Sequence, residues 1–250
     1  MTTTREESGS LPLRAGERAL LLRIARCLLI AQAAARAPHP CHRVVGTQTV
    51  PEPDRQVPEG WAGNLRDARV VFLSSNPSIS LAEPGGPADA VEPYPTASAS
   101  DEYIAEFLGR RFDQTVRPLP YICQDSRSLM RNGRYAKAIR FWTEIRRRAD
   151  ELLDDADPAC NYVMTEVVHC KSRRNVGAAA ASGTCARRYL SDILQLTEAP
   201  IVVVMGKIAQ QVIRDWFPEL PQPPDIHPQA ELGGRRRTFL FIGQPGTSPE

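Results

Sequence analysis

Apolar residues along this chain fall into two kinds of segment. Short runs rich in β-branched residues predict strands buried on both faces, because such strands have no polar side. Longer segments whose apolar residues recur every three or four positions predict helices with one buried face. The runs that predict strands are residues 69–74, 161–168, 200–206 and 237–242.

Helices are predicted between and ahead of these strands. Ser100 and Ser182 each stand where a helix is expected to begin, and serine is a favoured N-cap residue. The predicted helices cover residues 17–36, 100–112, 135–153, 182–196 and 207–217. Proline- and glycine-rich loops are predicted at residues 39–63, 81–96 and 218–234, and a disordered N-terminus at residues 1–14.

Strands that alternate with helices indicate the α/β class. We predict a single domain over residues 15–250, a three-layer α/β/α sandwich around a mainly parallel central sheet of about four strands. Ligand sites in such folds lie beyond the carboxyl ends of the strands. Three strand ends are therefore candidate sites: Ser75–Ser78, Glu166–Arg174 and Gly243–Gly246.

Composition and charge bear on the location of the protein, the state of its cysteines and its partners. The longest apolar stretch near the N-terminus is interrupted by Arg23 and Arg26, so it predicts an amphipathic helix rather than an export signal or a membrane span. We therefore expect a cytoplasmic protein, whose six cysteines are thiols or metal ligands. The formal net charge is only +2, but basic residues occur in clusters, which fits either one basic face or solvated helix surfaces.

Two nearby segments resemble a known family. The sequence TEVVHCKSRRNVGAAAASGTCARRYL and the later IVVVMGKIAQQVI are similar to TNVVKCRPPxNRxPxxxEixxC and vvxLGxxA of the iron–sulfur branch of the uracil-DNA glycosylase superfamily. The resemblance is best from Tyr162 to Ile213 and extends back to about Pro58. It implies a uracil-DNA glycosylase-like fold and a monomeric, bacterial-type DNA-repair hydrolase that acts in base excision on DNA containing a damaged base.

The resemblance also implies a [4Fe-4S] cluster, which proteins hold with four cysteine thiolates. Cys170 and Cys185 match two of these ligands, at a spacing one residue shorter than in the family. The family's N-terminal C-x-x-C pair is missing, so Cys41 is the third candidate ligand. The remaining candidates are Cys27, Cys123, His39, His42 and His169. Buried reduced cysteines are the alternative.

Asn76 matches the family's water-activating motif. Ser74-Ser75-Asn76-Pro77-Ser78 stands where related branches have G-x-N-P-G or G-E-x-P-G. Hydrolysis of a base–sugar bond passes through an oxocarbenium-like state, which needs one positioned water rather than a strong nucleophile. The amide of Asn76 suits this role, and Ser75 is assigned to base binding. Alternatively, Asn76-Pro77 only forms a turn.

Glu166 departs from the family, in which an asparagine at this position reads the edge of uracil. A carboxylate accepts from N3–H, but its second oxygen repels O4 unless it is protonated, and it suits a donor–donor edge such as that of guanine. The predicted substrate is therefore uracil or another deaminated base. Alternatively, Glu166 pairs with Lys171 or an arginine and reads nothing.

Gln244 is a second departure, because the resemblance implies a histidine there that stabilises the departing base. An amide donates one neutral hydrogen bond, so the expectation is a weakened enzyme. The alternative is a catalytically inactive glycosylase-fold protein that binds nucleic acid.

Further residues are assigned to DNA contacts. Tyr94 is the candidate platform on which the flipped base stacks, or it packs on the sheet. Lys171, Arg173 and Arg174 are expected to contact phosphates, which gives binding that does not depend on sequence. An unrelated nucleotide-binding domain lacks support, because no glycine-rich phosphate loop opens a predicted helix.

Overall fold

The structure is a computed structural model that describes residues 13–35, 38–81, 87–218 and 226–245. The predicted disordered segment 1–14 lies outside this part of the chain except for its last two residues. Leu13 packs against the core, and Arg14 precedes the first helix. Gly246, at the end of the third candidate strand end, also lies outside the described residues.

Helices and strands alternate along the described chain, as predicted for the α/β class. The helices are α1 (Ala15–Ala25), α2 (Leu29–Ala35), α3 (His42–Val45), α4 (Asp101–Gly109), α5 (Arg140–Asp150), α6 (Ala178–Gln195) and α7 (Gly206–Trp216). The strands are β1 (Trp61–Gly63), β2 (Val70–Ser74), β3 (Arg127–Leu129), β4 (Tyr135–Ala138), β5 (Tyr162–Glu166), β6 (Ile201–Met205), β7 (Ile226–Leu232) and β8 (Arg235–Ile242).

One mixed sheet of six strands has the order β1-β5-β2-β6-β8-β7. Its four central strands correspond to the four predicted from the sequence, and they run parallel. The two edge strands, β1 and β7, are antiparallel to their neighbours. The prediction of about four strands is therefore too low, and the difference lies at the two edges of the sheet.

The edge strands have weak sequence signals for different physical reasons. β1 has only three residues, too few to show a period. β7 falls within the segment predicted as a proline-rich loop and contains Pro228. An edge strand tolerates proline, because one side of it needs no ladder hydrogen bonds. The register of β7 shifts between His227 and Ala230, around this proline.

Helices cover both faces of the sheet. On one face, Phe72 and Val203 pack in a cluster with Trp142 of α5. On the other face, Val71 and Val202 pack with residues of α1, α4, α6 and α7. Because β2 and β6 are covered on both sides, their sequences are apolar without alternation. The carboxyl ends of these strands remain the edge at which polar residues can converge.

Two predicted helices have different limits in the structure. The helix expected over residues 17–36 is split into α1 and α2 by residues 26–28. The start of the helix expected over residues 135–153 is instead the strand β4, which pairs with β3. None of the helices in the described ranges is long and apolar enough to cross a membrane.

One of the two predicted helix caps is confirmed. The Ser100 hydroxyl accepts a hydrogen bond from the Tyr103 N–H, as an N-cap should. Ser182 instead lies inside α6, where its hydroxyl donates to the Ala179 carbonyl. That helix begins after Gly177, whose φ of 78° suits glycine.

Candidate functional site

The loops after β2 and β5 are bonded to each other at the carboxyl edge of the sheet. Ser74 and Glu166 are register partners at the ends of these strands. Beyond them, Val167 N–H donates to the Ser74 carbonyl and Val168 N–H to the Ser75 carbonyl, both at 3.0 Å. Ser75 is buried. Two of the three predicted strand ends therefore meet, which brings the predicted water-binding and base-reading segments together.

Asn76 has one end of its amide fixed and the other end unpaired. Its Nδ2 donates to Ser172 Oγ at 2.9 Å and to the Pro77 carbonyl at 3.1 Å. Because a carbonyl oxygen only accepts, these contacts require the amide nitrogen on that side. Oδ1 then points the other way, where it is buried without a hydrogen-bond partner. The side chain thus holds an unused acceptor in a defined direction.

Glu166 is a buried carboxyl group whose environment favours the neutral form. Its side chain is only 1% exposed, and Oε2 has no hydrogen-bond partner. Burial raises the pKa of Glu166 well above its ordinary value, and the nearby Glu59 carboxylate raises it further. A protonated carboxyl offers one O–H donor and one carbonyl acceptor. A neutral Glu166 has the hydrogen-bonding capacity of an amide rather than that of a carboxylate.

Four charged side chains beside Glu166 form a buried charge cluster, which comprises Glu59, Glu92, Arg111 and Lys171. Arg111 joins the two carboxylates, since it donates to Glu59 at 2.5 Å and to Glu92 at 2.7 Å. Lys171 Nζ lies 3.7 Å from Glu59 Oε2. With two acids and two bases, the cluster is formally neutral, so ionisation of the adjacent Glu166 would add one uncompensated negative charge.

Opposite charges within the cluster counteract the effect of burial on the pKa values of Glu59 and Lys171. Burial alone would raise the pKa of Glu59, but Arg111 and Lys171 lower it below the ordinary value. Burial lowers the pKa of Lys171 to about 8, although the Glu59 carboxylate opposes this shift. Because Glu59 stays ionised, it disfavours a second negative charge on Glu166.

The positions of Lys171 and Tyr94 correct two predictions. Lys171 is only 2% exposed, so it does not belong to a phosphate-binding surface with Arg173 and Arg174, which are exposed. Its ammonium lies 3.4 Å from the centre of the Tyr94 ring. Tyr94 is itself buried and donates from its hydroxyl to Glu59 at 3.2 Å. The ring packs against the charge cluster and does not offer an open face on which a base could stack.

Gln244 follows β8 at the same edge of the sheet as Asn76. β8 is separated from β2 by β6, which at the usual strand spacing is a distance of roughly 10 Å. Gln244 packs closely against Gly206, which begins α7 with a φ of 77°. A side chain at Gly206 would displace the Gln244 amide from its present position, and the positive φ itself favours glycine there. The third strand end therefore supplies an amide, held against α7.

Four of the six cysteines lie close enough to interact with one another electrostatically: Cys27, Cys41, Cys170 and Cys185. Burial raises the pKa of Cys41, Cys170 and Cys185, and neighbouring thiols of the group raise it further. Cys27 occupies the break between α1 and α2, which is the break that the helix prediction missed. Gly177 allows α6 to pack against α3 beside Cys41, since a side chain there would collide with the backbone of Val44.

The other candidate ligands are engaged elsewhere. Cys123 interacts with Tyr135. His39 Nδ1 accepts from the Cys41 N–H, and His42 Nδ1 contacts the Ala33 carbonyl. His169 Nδ1 contacts the Glu59 carbonyl, and burial lowers the pKa of His169 to about 4.

No group of three or more His, Cys, Asp or Glu side chains within the described ranges is arranged to hold one metal ion. An iron–sulfur cluster distributes four thiolates over several irons, so its ligands need not converge on one point. Burial raises the pKa of Cys185 to about 12, although its Sγ accepts a hydrogen bond from the His169 N–H at 3.4 Å, which opposes this shift.

Neither a protein-family model nor a curated protein matches this chain.

The sequence pattern does not predict Glu59, Glu92 or Arg111 as site residues. Glu59 and Glu92 lie in segments predicted as loops, and Arg111 lies at the end of a predicted helix. None of these positions has a spacing that distinguishes it from a surface charge. The burial of all three follows from tertiary contacts between segments that are far apart in the chain.

Proposed function

We propose that this chain is a DNA glycosylase with a fold of the uracil-DNA glycosylase type. It hydrolyses the N-glycosidic bond of a flipped, deaminated base, and Asn76 holds the attacking water. The observation that carries this proposal is the buried, unpartnered Oδ1 of Asn76, whose direction is set by Ser172 and Pro77. A buried acceptor without a partner is rare in proteins, and a water is the simplest group that satisfies it.

The proposed reaction needs orientation more than activation. As the bond to the base lengthens, the sugar acquires oxocarbenium character, and a neutral water suffices as the nucleophile. Asn76 Oδ1 accepts one hydrogen bond from this water, which directs a lone pair toward the sugar without removing the proton. Gln244 is the proposed donor to the departing base, and such a neutral hydrogen bond contributes about 0.5–1.5 kcal/mol.

Glu166 is the proposed reader of the base. In its neutral form it accepts from a ring N–H and donates to the adjacent carbonyl, the pairing that an asparagine would make. Uracil presents this pair at N3–H and O4, and hypoxanthine presents it at N1–H and O6. The buried carboxyl of Glu166 beside the Glu59 carboxylate supports this assignment over a guanine-type edge.

A [4Fe-4S] cluster is proposed on Cys27, Cys41, Cys170 and Cys185. When bound, such a cluster supplies a redox-active centre that is held by four cysteine thiolates. These cysteines come from the break after α1, the start of α3, the loop after β5 and the helix α6. Ligation would fasten these elements together, and through Cys170 it would stabilise the loop whose carbonyl and hydroxyl groups hold Asn76.

The second candidate is a catalytically inactive glycosylase-fold protein that binds nucleic acid. Two observations favour it. Asn76 and Glu166 are 9% and 1% exposed, and Lys171 covers the Tyr94 face that a flipped base would need. In addition, Gln244 provides only a neutral donor where the resemblance implies a histidine.

Excision assays on defined oligonucleotides distinguish the two candidates. Duplex and single-stranded DNA that carries uracil, hypoxanthine, xanthine or a mispaired thymine is incubated with the purified protein, and abasic sites are then cleaved with alkali. We expect product from at least one lactam base, with loss of product in Asn76→Ala. Gln211→Ala, which removes an exposed amide on α7, is the matched control. No product from any base, together with salt-sensitive binding of undamaged DNA, would support the inactive binding protein.

A further inference from the structure

A small β-hairpin stands apart from the main sheet and carries a concentrated positive charge. It consists of β3 and β4 and the residues around them, and we call residues 126–140 the basic hairpin. Between Ser126 and Thr143 the sequence has five basic residues and no acidic residue. All five are exposed: Arg127, Arg131, Arg134, Lys137 and Arg140.

Most of this charge is not neutralised by the protein. Arg127 pairs with Asp125 at 2.6 Å. Within the part of the chain that the structure describes, no ion pair involves the other four bases of the hairpin. Some exposed arginines elsewhere do pair with acids, such as Arg147 with Glu144 and Arg235 with Glu198. The hairpin therefore offers an uncompensated positive surface to a negatively charged partner.

The tip of the hairpin has a defined shape. Asn132 and Gly133 form the turn, and Gly133 has a φ of 77°, which suits glycine. Met130 N–H donates to the Arg134 carbonyl at 2.8 Å and closes the loop. A side chain at Gly133 would meet no atom within 4 Å, so the backbone of the tip is open to an approaching surface. Arg131 and Arg134 flank this open turn.

The hairpin is bonded to the loop that leads to the candidate site. Arg131 N–H donates to the Val91 carbonyl at 2.9 Å, and Asn132 N–H donates to the Asp89 carbonyl at 3.2 Å. The next residue after Val91 is Glu92, which pairs with Arg111 in the buried charge cluster. A partner bound at the hairpin is therefore held beside the carboxyl edge of the sheet.

We propose that the basic hairpin is a phosphate-binding element that holds duplex DNA against the candidate site. The proposal rests on DNA as the substrate of that site. Guanidinium groups bind phosphate through paired N–H donors, and a two-stranded ribbon is narrow enough to lie along or within the major groove. Exposed arginines around a glycine turn favour backbone contacts, so the binding is independent of sequence.

The salt dependence of DNA binding tests this proposal on the full-length chain. Binding of an undamaged, fluorescently labelled duplex is measured by anisotropy across a series of KCl concentrations. We expect Arg131→Gln/Arg134→Gln to reduce the slope of log K against log salt by about 1.8, since each lost phosphate contact removes about 0.9. At about 0.1 M salt the affinity should fall roughly 10- to 100-fold.

A matched double variant separates the hairpin from general surface charge. Arg235→Gln/Arg236→Gln also removes two positive charges, but at the beginning of β8, which lies at the amino ends of the parallel strands. This control should leave the slope nearly unchanged. Equal losses in both variants, or an unchanged slope in the hairpin variant, would overturn the proposal, provided that thermal unfolding shows both variants folded.

Two further measurements separate this proposal from the proposed enzyme. If no base is excised but the hairpin variant still loses DNA affinity, the hairpin assignment stands and the glycosylase assignment fails. If the hairpin variant still excises the base at limiting DNA, and its slope of log K against log salt is unchanged, the hairpin assignment fails and the glycosylase assignment stands. Binding to phosphatidylserine vesicles, with no binding to duplex DNA, would replace DNA with a membrane as the partner and overturn the proposal.

Discussion

Ser172 Oγ accepts a hydrogen bond from Asn76 Nδ2 at 2.9 Å, across the two loops that follow β5 and β2. The same loops are joined through the backbone, where Ser172 N–H donates to the Pro77 carbonyl at 3.0 Å. Ser172 therefore fixes both the position of the loop and the rotation of the Asn76 amide. If Asn76 binds the attacking water, Ser172 is a positioning residue for that water.

Ser172→Ala should lower kcat about 5- to 10-fold and leave KM nearly unchanged. The substitution removes one hydrogen bond of about 1 kcal/mol, and the Pro77 carbonyl still holds the amide. Steady-state excision of a lactam base measures both constants. Ser182→Ala, which removes a hydroxyl within α6, is the control. A rise in KM with unchanged kcat would contradict a role in orienting the water.

Glu166→Gln should retain excision of uracil or hypoxanthine and should change its dependence on pH. The glutamine amide keeps one donor and one acceptor, as the neutral carboxyl does. Burial and Glu59 raise the pKa of Glu166, so the wild-type protein should lose activity as the pH rises through that value, and the variant should not. Activity is measured across a pH series. Complete loss in Glu166→Gln, equal to that in Glu166→Ala, would contradict a neutral reader.

The raised pKa of Glu166 also predicts how the free energy of unfolding depends on pH. Folding raises the pKa of Glu166 above its unfolded value, so the folded state binds this proton more tightly. The resulting stabilisation is fully present below the ordinary value of 4.5 and declines as the pH rises through the folded pKa. The stability of Glu166→Gln relative to wild type should therefore increase from pH 5 to pH 8 in urea unfolding. A constant difference would show that Glu166 does not hold a proton in the folded state.

Arg111→Met should destabilise the fold by about 3–5 kcal/mol, because it leaves Glu59 and Glu92 buried without their shared partner. Urea unfolding measures the loss. Arg147→Met is the matched control, since Arg147 is an exposed arginine that also bridges two glutamates, and it should cost about 0–1 kcal/mol. Similar losses in both variants would mean that the buried charge cluster adds nothing specific.

The parallel core of the fold could be predicted from sequence, whereas the buried charge cluster could not. β2 and β6 are apolar runs of β-branched and aromatic residues, a local signal that survives folding. Glu59, Glu92 and Arg111 come from three separate segments and acquire their burial only when those segments pack. Asn76 and Glu166 could be placed at strand ends, but burial and the Glu59 carboxylate raise the pKa of Glu166, and no local pattern reveals either.

The basic hairpin shows a second limit of local patterns. Residues 135–138 continue a segment whose apolar spacing predicts a helix, and the structure instead pairs them with Arg127–Leu129. The Asn132-Gly133 turn is the local signal for this pairing, since it favours a tight hairpin. The helical periodicity comes from the residues after β4, which form α5.

Cys27, Cys41, Cys170 and Cys185 should each be required for iron. Protein purified without oxygen should be brown with broad visible absorption, and Cys170→Ala should remove both the colour and the bound iron. Cys123→Ser is the control, because Cys123 interacts with Tyr135 and not with the four thiols, and it should keep full iron content. Cys27→Ser is the sharpest single test. It tests whether Cys27, in the break between α1 and α2, is a ligand. The resemblance does not assign this position, because the family's C-x-x-C pair is missing from this sequence. Colourless wild-type protein prepared without oxygen would mean that these cysteines are buried thiols.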